Sequence, residues 1–452
     1  MDSFITARWV LPVSSPPIED GALLVRGGRV ARCGPRESLE KDAGACRRLV
    51  FADAALLPGL VNVHAHLELT ALRGSVEERD FFRWIRRVTR TKLEVLRPED
   101  LLASSYWGAL EATRAGVTTV GEVADLGVSR EALAASGLRG VLYQEVFGPQ
   151  PEAAEESFAG LVEKLDAHQG AAGDRLRVGV SPHAVYTVSA ELFERVTRLA
   201  LERSLPVSIH AAESRAEAAF LERGEGPFAE FLEGRGIRWV PPGCSAIEYL
   251  ERLGVLEARP LLAHCVHCSR RDAEIIARSG SAVAHCPKSN GKFGHGVAPV
   301  PVLEELGVRV GLGSDSVASN NVCDLFEEAR FGSLLQRLTP QDGRPAGDDA
   351  PAAWLRRLTL GGAEALGLGG LTGSLEEGKC ADVIAVDLSS PHLQPLGDVE
   401  AALIFSARAS DVVFTMVEGE VLFEGGRCLR LDEAALREEV AAVARRIPRE
   451  EH

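Results

Sequence analysis

AALLPGLVNVHAH, residues 54–66, is an apolar run of strand length that ends in two histidines one residue apart. Residues two apart on a strand share a face, so His64 and His66 point the same way. Seven more runs of this kind follow: VTTVGEVA (117–124), RGVLYQEVF (139–147), RLRVGVSPHA (175–184), PVSIHAAE (206–213), RPLLAHCVH (259–267), SAVAHCPKS (281–289) and RVGLGSDS (309–316). Amphipathic stretches such as DLLASSYWGALEATRAG (100–116) and AELFERVTRLALERS (190–204) lie between them. Eight β–α alternations predict an α/β fold, a (β/α)8 TIM-type barrel over residues 58–374. Polar residues interrupt the runs near their C-terminal ends, the barrel face on which active sites are assembled.

The chain ends have a different rhythm. GALLVRGGRVARCG (21–34), ADVIAVDL (381–388) and DVVFTMVEGEVLFEGG (411–426) alternate apolar and polar residues around glycine turns, as antiparallel strands do. Residues 1–57 and 375–430 are therefore expected to meet as one composite β-sandwich domain, and 431–452 to form a charged amphipathic helix at a surface or interface. The 50 basic and 65 acidic residues leave a net charge of -15. That balance disfavours nucleic acid and anionic membranes as partners and leaves a small-molecule substrate. MDSFITARWVLPV at the start is unlike a signal peptide and no run approaches eighteen apolar residues, so a cytoplasmic protein is expected. The nine cysteines lack a regular framework and are read as reduced thiols.

The strand ends carry a metal-ligand pattern. His64 and His66 close the first run, His210 the fifth and Asp315 the eighth, giving three imidazoles and one carboxylate with a position left for water. Such an ion lowers the pKa of its water from about 15.7 towards about 7. Asp315 can also accept a proton from that water, and Glu213, three residues beyond His210, is placed to act as general acid/base. His264 ends the sixth run, where it can bond the nucleophile or stabilise developing charge. The neighbouring His264, Cys265, His267 and Cys268 mimic a zinc cluster, but four ligands within five residues could hardly surround one ion.

These motifs, together with SPHAVYT (181–187) and HCPKSNGKFGHGVAPV (285–300), make the whole chain resemble the amidohydrolase superfamily, in its cytosine, guanine and adenosine-type deaminase and chlorohydrolase branch. The resemblance implies the same ligands and proton carriers, hydrolytic release of ammonia, and a homodimer. It also implies one divalent ion, with zinc first and iron or manganese as alternatives. Two-metal relatives carry a bridging lysine or glutamate near the third or fourth strand; RLRVGVSPHA has a histidine there, and Glu145 is the residue that keeps a second ion open. His183 lies where related nucleoside deaminases touch substrate. The long segment after the first strand, with Phe81, Phe82 and Trp84, is expected to shape the mouth, and Glu68 and Arg73 to bind substrate. Ser319, Asn320 and Asn321 read as turn residues, with mouth lining as their alternative. Glutamate at 68 and FGHG at 293–296 resemble aminodeoxyfutalosine deaminases, the first substrate expectation. Alternatives are adenosine, S-adenosylhomocysteine or methylthioadenosine, a guanine, pterin or chlorinated ring, and a metal-free scaffold protein.

Overall fold

The computed structural model describes residues 2–168, 175–339 and 349–448. All eight expected barrel strands form: Leu60–Ala65, Val117–Ala124, Arg139–Val146, Leu176–Pro182, Ser208–Ala211, Leu261–His264, Ala282–His285 and Arg309–Leu312. They run parallel in two sets of four. Isolated parallel bridges stitch the sets into a ring, Val180 to Val207 and Ala184 to His210 at one seam and Ala65 to Asp315 at the other. Every residue of Val117–Ala124 and Arg139–Val146 is buried, because helices cover one face and barrel side chains the other. Val61, Val63, Val123, Val141, Leu261 and Ala284 belong to one apolar cluster. Gly121 is required there, since a Cβ would come within 2.2 Å of the Val63 carbonyl oxygen.

The chain ends, expected to meet as a β-sandwich, do meet, in one continuous eight-stranded sheet. Ser3–Val10, Ile18–Arg26, Arg29–Pro35 and Arg47–Pro58 come from one end, and Val383–Asp387, Val412–Val417, Glu420–Glu424 and Arg427–Cys428 from the other. The ends join where Arg47–Pro58 pairs antiparallel with Val383–Asp387. Ile5, Leu23, Val25, Leu56, Val383 and Phe414 form a shared core. A buried bidentate pair, Arg139 Nε to Asp382 Oδ2 at 2.8 Å and Nη2 to Oδ1 at 3.3 Å, ties this sheet to the third barrel strand.

Beyond the first barrel strand the chain makes a 3-10 turn, Leu67–Leu72, and the helices Phe81–Glu94 and Pro98–Arg114. The C-terminal helix, Glu433–Arg446, packs on this excursion: Val443 and Ile447 join Leu72, Trp84, Val88 and Leu101, and Arg446 pairs with Asp100. The rest of the expected tail, residues 449–452, lies outside the described residues. Among the described residues no helix is long and apolar enough to cross a membrane.

Candidate active site

The C-terminal ends of the barrel strands bring the expected ligands together. One donor atom from each of His64, His210, His264 and Asp315 lies within 4.8 Å of the others. His66 joins them, its Nε2 3.5 Å from Asp315 Oδ1, while His64 Nε2 is 3.4 Å from the same oxygen. Both ring nitrogens of the fully buried His64 lack a hydrogen-bond partner, which a cation at one of them would supply. His210 Nδ1 meets the His183 carbonyl at 3.1 Å; a carbonyl only accepts, so Nδ1 donates and Nε2 is left bare for a ligand role. Asp315 Oδ2 accepts from Ser289 Oγ at 2.6 Å and Ser319 Oγ at 2.8 Å, which turns Oδ1 towards the imidazoles.

Electrostatics favour the same chemistry. Burial and the neighbouring His64 push His66 down to about 3, and burial with nearby imidazoles drives His210 well below its ordinary value. Burial opposes the ionised form of Asp315, but His64, His264 and His66 outweigh it and hold the carboxyl well below its usual range. Neutral imidazoles at His66 and His210 beside an ionised carboxylate suit a divalent ion. The backbone is left-handed at Asp315 (φ 56), His264 (φ 73) and Cys265 (φ 47), strain of the kind that gathers at functional sites.

Glu213 stands beside this cluster, its Oε1 3.7 Å from His264 Nε2 and 3.6 Å from His295 Nε2. Burial works against a charged His264, but the Glu213 and Asp315 carboxylates raise it nonetheless. Sequence reasoning missed the residues that aim these groups. Glu217 accepts the Ala212 and Glu213 N–H groups at 3.0 and 2.6 Å, and burial raises its carboxyl to about 7. Glu122 accepts the Leu67 N–H on both oxygens, at 3.0 and 2.9 Å, fixing the chain just past His66. A glutamate in an otherwise uncharged strand, VTTVGEVA, and a second one four residues after Glu213 were the available signals.

A cavity of about 820 Å³ opens from the ligand cluster. His66, His210, Glu213, His264 and Asp315 line its polar end; beyond them the wall combines aromatic side chains such as Phe81, Phe82, Tyr186 and Phe228 with charged ones such as Arg83, Arg87 and Lys92. Trp84 and His183 are both in its wall. His183 Nδ1 bonds Thr187 Oγ1 at 2.8 Å, and Thr187 spends its own proton on the Ala184 carbonyl, so the other nitrogen of His183 is left for the cavity. Two expectations are corrected. Glu68 does not line the cavity: its carboxylate accepts the N–H groups of Asp125, Leu126 and Val128 at 3.0 to 3.1 Å and anchors the turn after the second strand. Arg73 is also outside the cavity wall and pairs with Glu111. Ser319 bonds Asp315 and does not serve the mouth.

Glu145, His183 and His210 also bring donor atoms within 4.8 Å of one another. Burial pushes the Glu145 carboxyl up to about 8 despite nearby Lys92. Among the described residues, neither ligand group includes Cys265, His267 or Cys268.

A closed (β/α)8 barrel with histidines and an aspartate at the C-terminal mouth defines a metal-dependent hydrolase scaffold. The chain belongs to the amidohydrolase family, whose profile matches residues 55–422, and it is a hydrolase acting on carbon–nitrogen bonds. It is 36% identical over 431 residues to a 5-methylthioadenosine/S-adenosylhomocysteine deaminase of Nitratidesulfovibrio vulgaris (strain DSM 19637 / Miyazaki F), covering 95% of this chain and 93% of that one. Its fold is similar to an adenosine deaminase from Xanthomonas campestris with bound zinc, at TM-score 0.88 and 30% identity, covering 99% and 98% of the two chains. An aminofutalosine deaminase of Helicobacter pylori shares the fold at TM-score 0.78 and 20% identity, covering 94% of this chain and 100% of that one.

Proposed function

We propose that this protein is a hydrolytic deaminase of adenine nucleosides bearing a 5′ substituent, in the class of methylthioadenosine and S-adenosylhomocysteine. The observation that carries this reading is the cavity, in which a metal-type cluster and Glu213 share one end and a wall of aromatic and arginine side chains extends beyond them. Its roughly 820 Å³ is in the upper part of the range for drug-sized ligands, about 300–1,000 Å³, and leaves room for a tail beyond a purine and ribose. The homologue named for these two nucleosides supports the same class.

His64, His66, His210 and Asp315 would hold one divalent ion, zinc by preference, and when bound it supplies Lewis-acid activation of water. Glu213 takes a proton from the attacking water and delivers it to the ring nitrogen. Water oxygen bonds to C6, the C6–N bond breaks, and a second proton through Glu213 lets the amine leave as ammonia, giving the 6-oxo purine. His264 stabilises the charge that develops at the attacked carbon's oxygen. His183 bonds a ring nitrogen or a sugar hydroxyl, and Trp84 forms part of the wall beside the tail. The aminodeoxyfutalosine expectation drew on Glu68, which is committed to backbone N–H groups, so only FGHG is left to favour it.

Ammonia release from methylthioadenosine, S-adenosylhomocysteine, adenosine, aminodeoxyfutalosine, guanine and a pterin, with metal content on the same sample, tests this. Methylthioadenosine or S-adenosylhomocysteine should be turned over fastest. Preference for guanine or a pterin, or no ammonia from any adenine nucleoside, would overturn the reading.

A further inference from the structure

We infer that His295 is a positioning residue for the Glu213 carboxyl, donating its Nε2–H to Oε1 and, with His264, fixing where that oxygen points. The inference rests on the deaminase reading above, because it gives Glu213 a task that needs aiming. His295 is in the FGHG segment, between Gly294 (φ 65) and Gly296 (φ 125), both in the left-handed region that favours glycine. Its own N–H bonds the Asn290 carbonyl at 2.9 Å. The side chain is buried, and its Nε2 has no hydrogen-bond partner although it stands 3.6 Å from Glu213 Oε1. A buried polar atom without a partner calls for an explanation, and this carboxylate is an acceptor close to it. The separation slightly exceeds a hydrogen bond, as catalytic contacts commonly do before substrate is bound, and a small rotation of either side chain closes it.

The surroundings leave this as the free variable. Glu217 already fixes the Glu213 backbone through its N–H. Of the groups around the Glu213 carboxyl, His264 and His295 face it as ring nitrogens at 3.7 and 3.6 Å, while Tyr186, Glu217 and Cys286 are further titratable neighbours. The His295 ring is packed edge-on against Phe81, 4.8 Å between centroids, and beside Phe293 at 5.4 Å, so its direction is set by rings of the cavity wall. His295 itself is not among the residues of that wall and acts through Glu213, which makes it a positioning residue.

Two substitutions separate donation from packing. His295→Phe keeps a ring between Phe81 and Phe293 but has no N–H; His295→Gln keeps an N–H and loses the ring. In the metal-loaded full chain, with the nucleoside the wild type deaminates best, His295→Phe should lower kcat by about tenfold or more with KM within about twofold, as misplacing a reacting group does. His295→Gln should restore kcat to within about threefold of wild type. Wild-type kcat in the Phe variant, or a folded Gln variant as slow as the Phe variant, overturns the assignment. Ring-¹⁵N NMR of the unsubstituted protein tests it without any variant: Nε2 of His295 should carry a proton, and a bare Nε2 overturns it. Failure of the wild type to release ammonia counts against the deaminase reading instead, and the NMR result still decides on His295.

Discussion

Glu213 and Glu68 are both buried glutamates just past a metal-type histidine, and their partners separate their roles. Glu213 faces the cavity, so Glu213→Gln should retain the ion and lose about 10²- to 10⁴-fold in kcat, read by steady-state kinetics beside metal analysis. Unchanged turnover would remove it from the mechanism. Glu68 serves three backbone N–H groups, so Glu68→Ala should lower stability by about 1–3 kcal/mol while KM of the folded enzyme stays within about twofold. Thermal unfolding and kinetics on one preparation check both halves; a large KM change with an unaltered melting temperature would return Glu68 to the substrate. His64 and His66 were legible because residues two apart on a strand share a face, and His210 and Asp315 because each closes an apolar barrel run. Glu68 was misread because the strand ends at Ala65, and the 3-10 turn that follows points a side chain by tertiary contacts that no sequence period encodes.

At the scale of elements, the eight strands and the two β-rich ends were legible from apolar runs and glycine turns. The carboxylates that hold the strand ends were not, because the N–H groups they serve belong to turns whose shape exists only in the folded chain. The helix Phe81–Glu94 illustrates the difference. Its aromatic residues marked it as a mouth element, but only the structure shows Phe82 meeting Phe228 and Phe231 across the cavity, with ring centroids 5.6 and 6.0 Å apart. Phe82→Ala should therefore raise KM for a tailed nucleoside severalfold and leave kcat near wild type, since burial of apolar tail surface contributes equally before and during reaction. Equal KM values in wild type and variant would place the tail elsewhere.

For the whole molecule, the link between the sheet and the barrel rests on one buried ion pair as well as on packing. Asp382→Ala would leave the Arg139 guanidinium, 3% exposed, without its carboxylate and should cost about 3–5 kcal/mol in denaturant unfolding. A loss below about 1 kcal/mol would mean that water or Glu418 takes over the charge. Acid should act at the opposite face. Burial first, and then neighbouring charges, push His66 and His183 to about 3 in the folded chain, below their ordinary 6.5, so the unfolded chain binds more protons between those values. Stability of the metal-free protein should therefore be intact above about pH 6.5 and decline as pH falls towards 3, seen as a falling melting temperature. A flat profile across that window would show that water reaches these imidazoles.

The two seams of the barrel are also where the candidate ligands sit. Asp315 N–H bonds the His64 carbonyl at 2.9 Å across one seam, and His210 N–H bonds the His183 carbonyl at 3.0 Å across the other. An ion gripping His64, His66, His210 and Asp315 would thus act as a hoop drawn around staves, closing with side chains what isolated bridges close only weakly. Chelation should then speed amide exchange at Asp315 and His210 well before the barrel melts, so that in a cell short of metal this enzyme would come apart first along the lines where its chemistry is done.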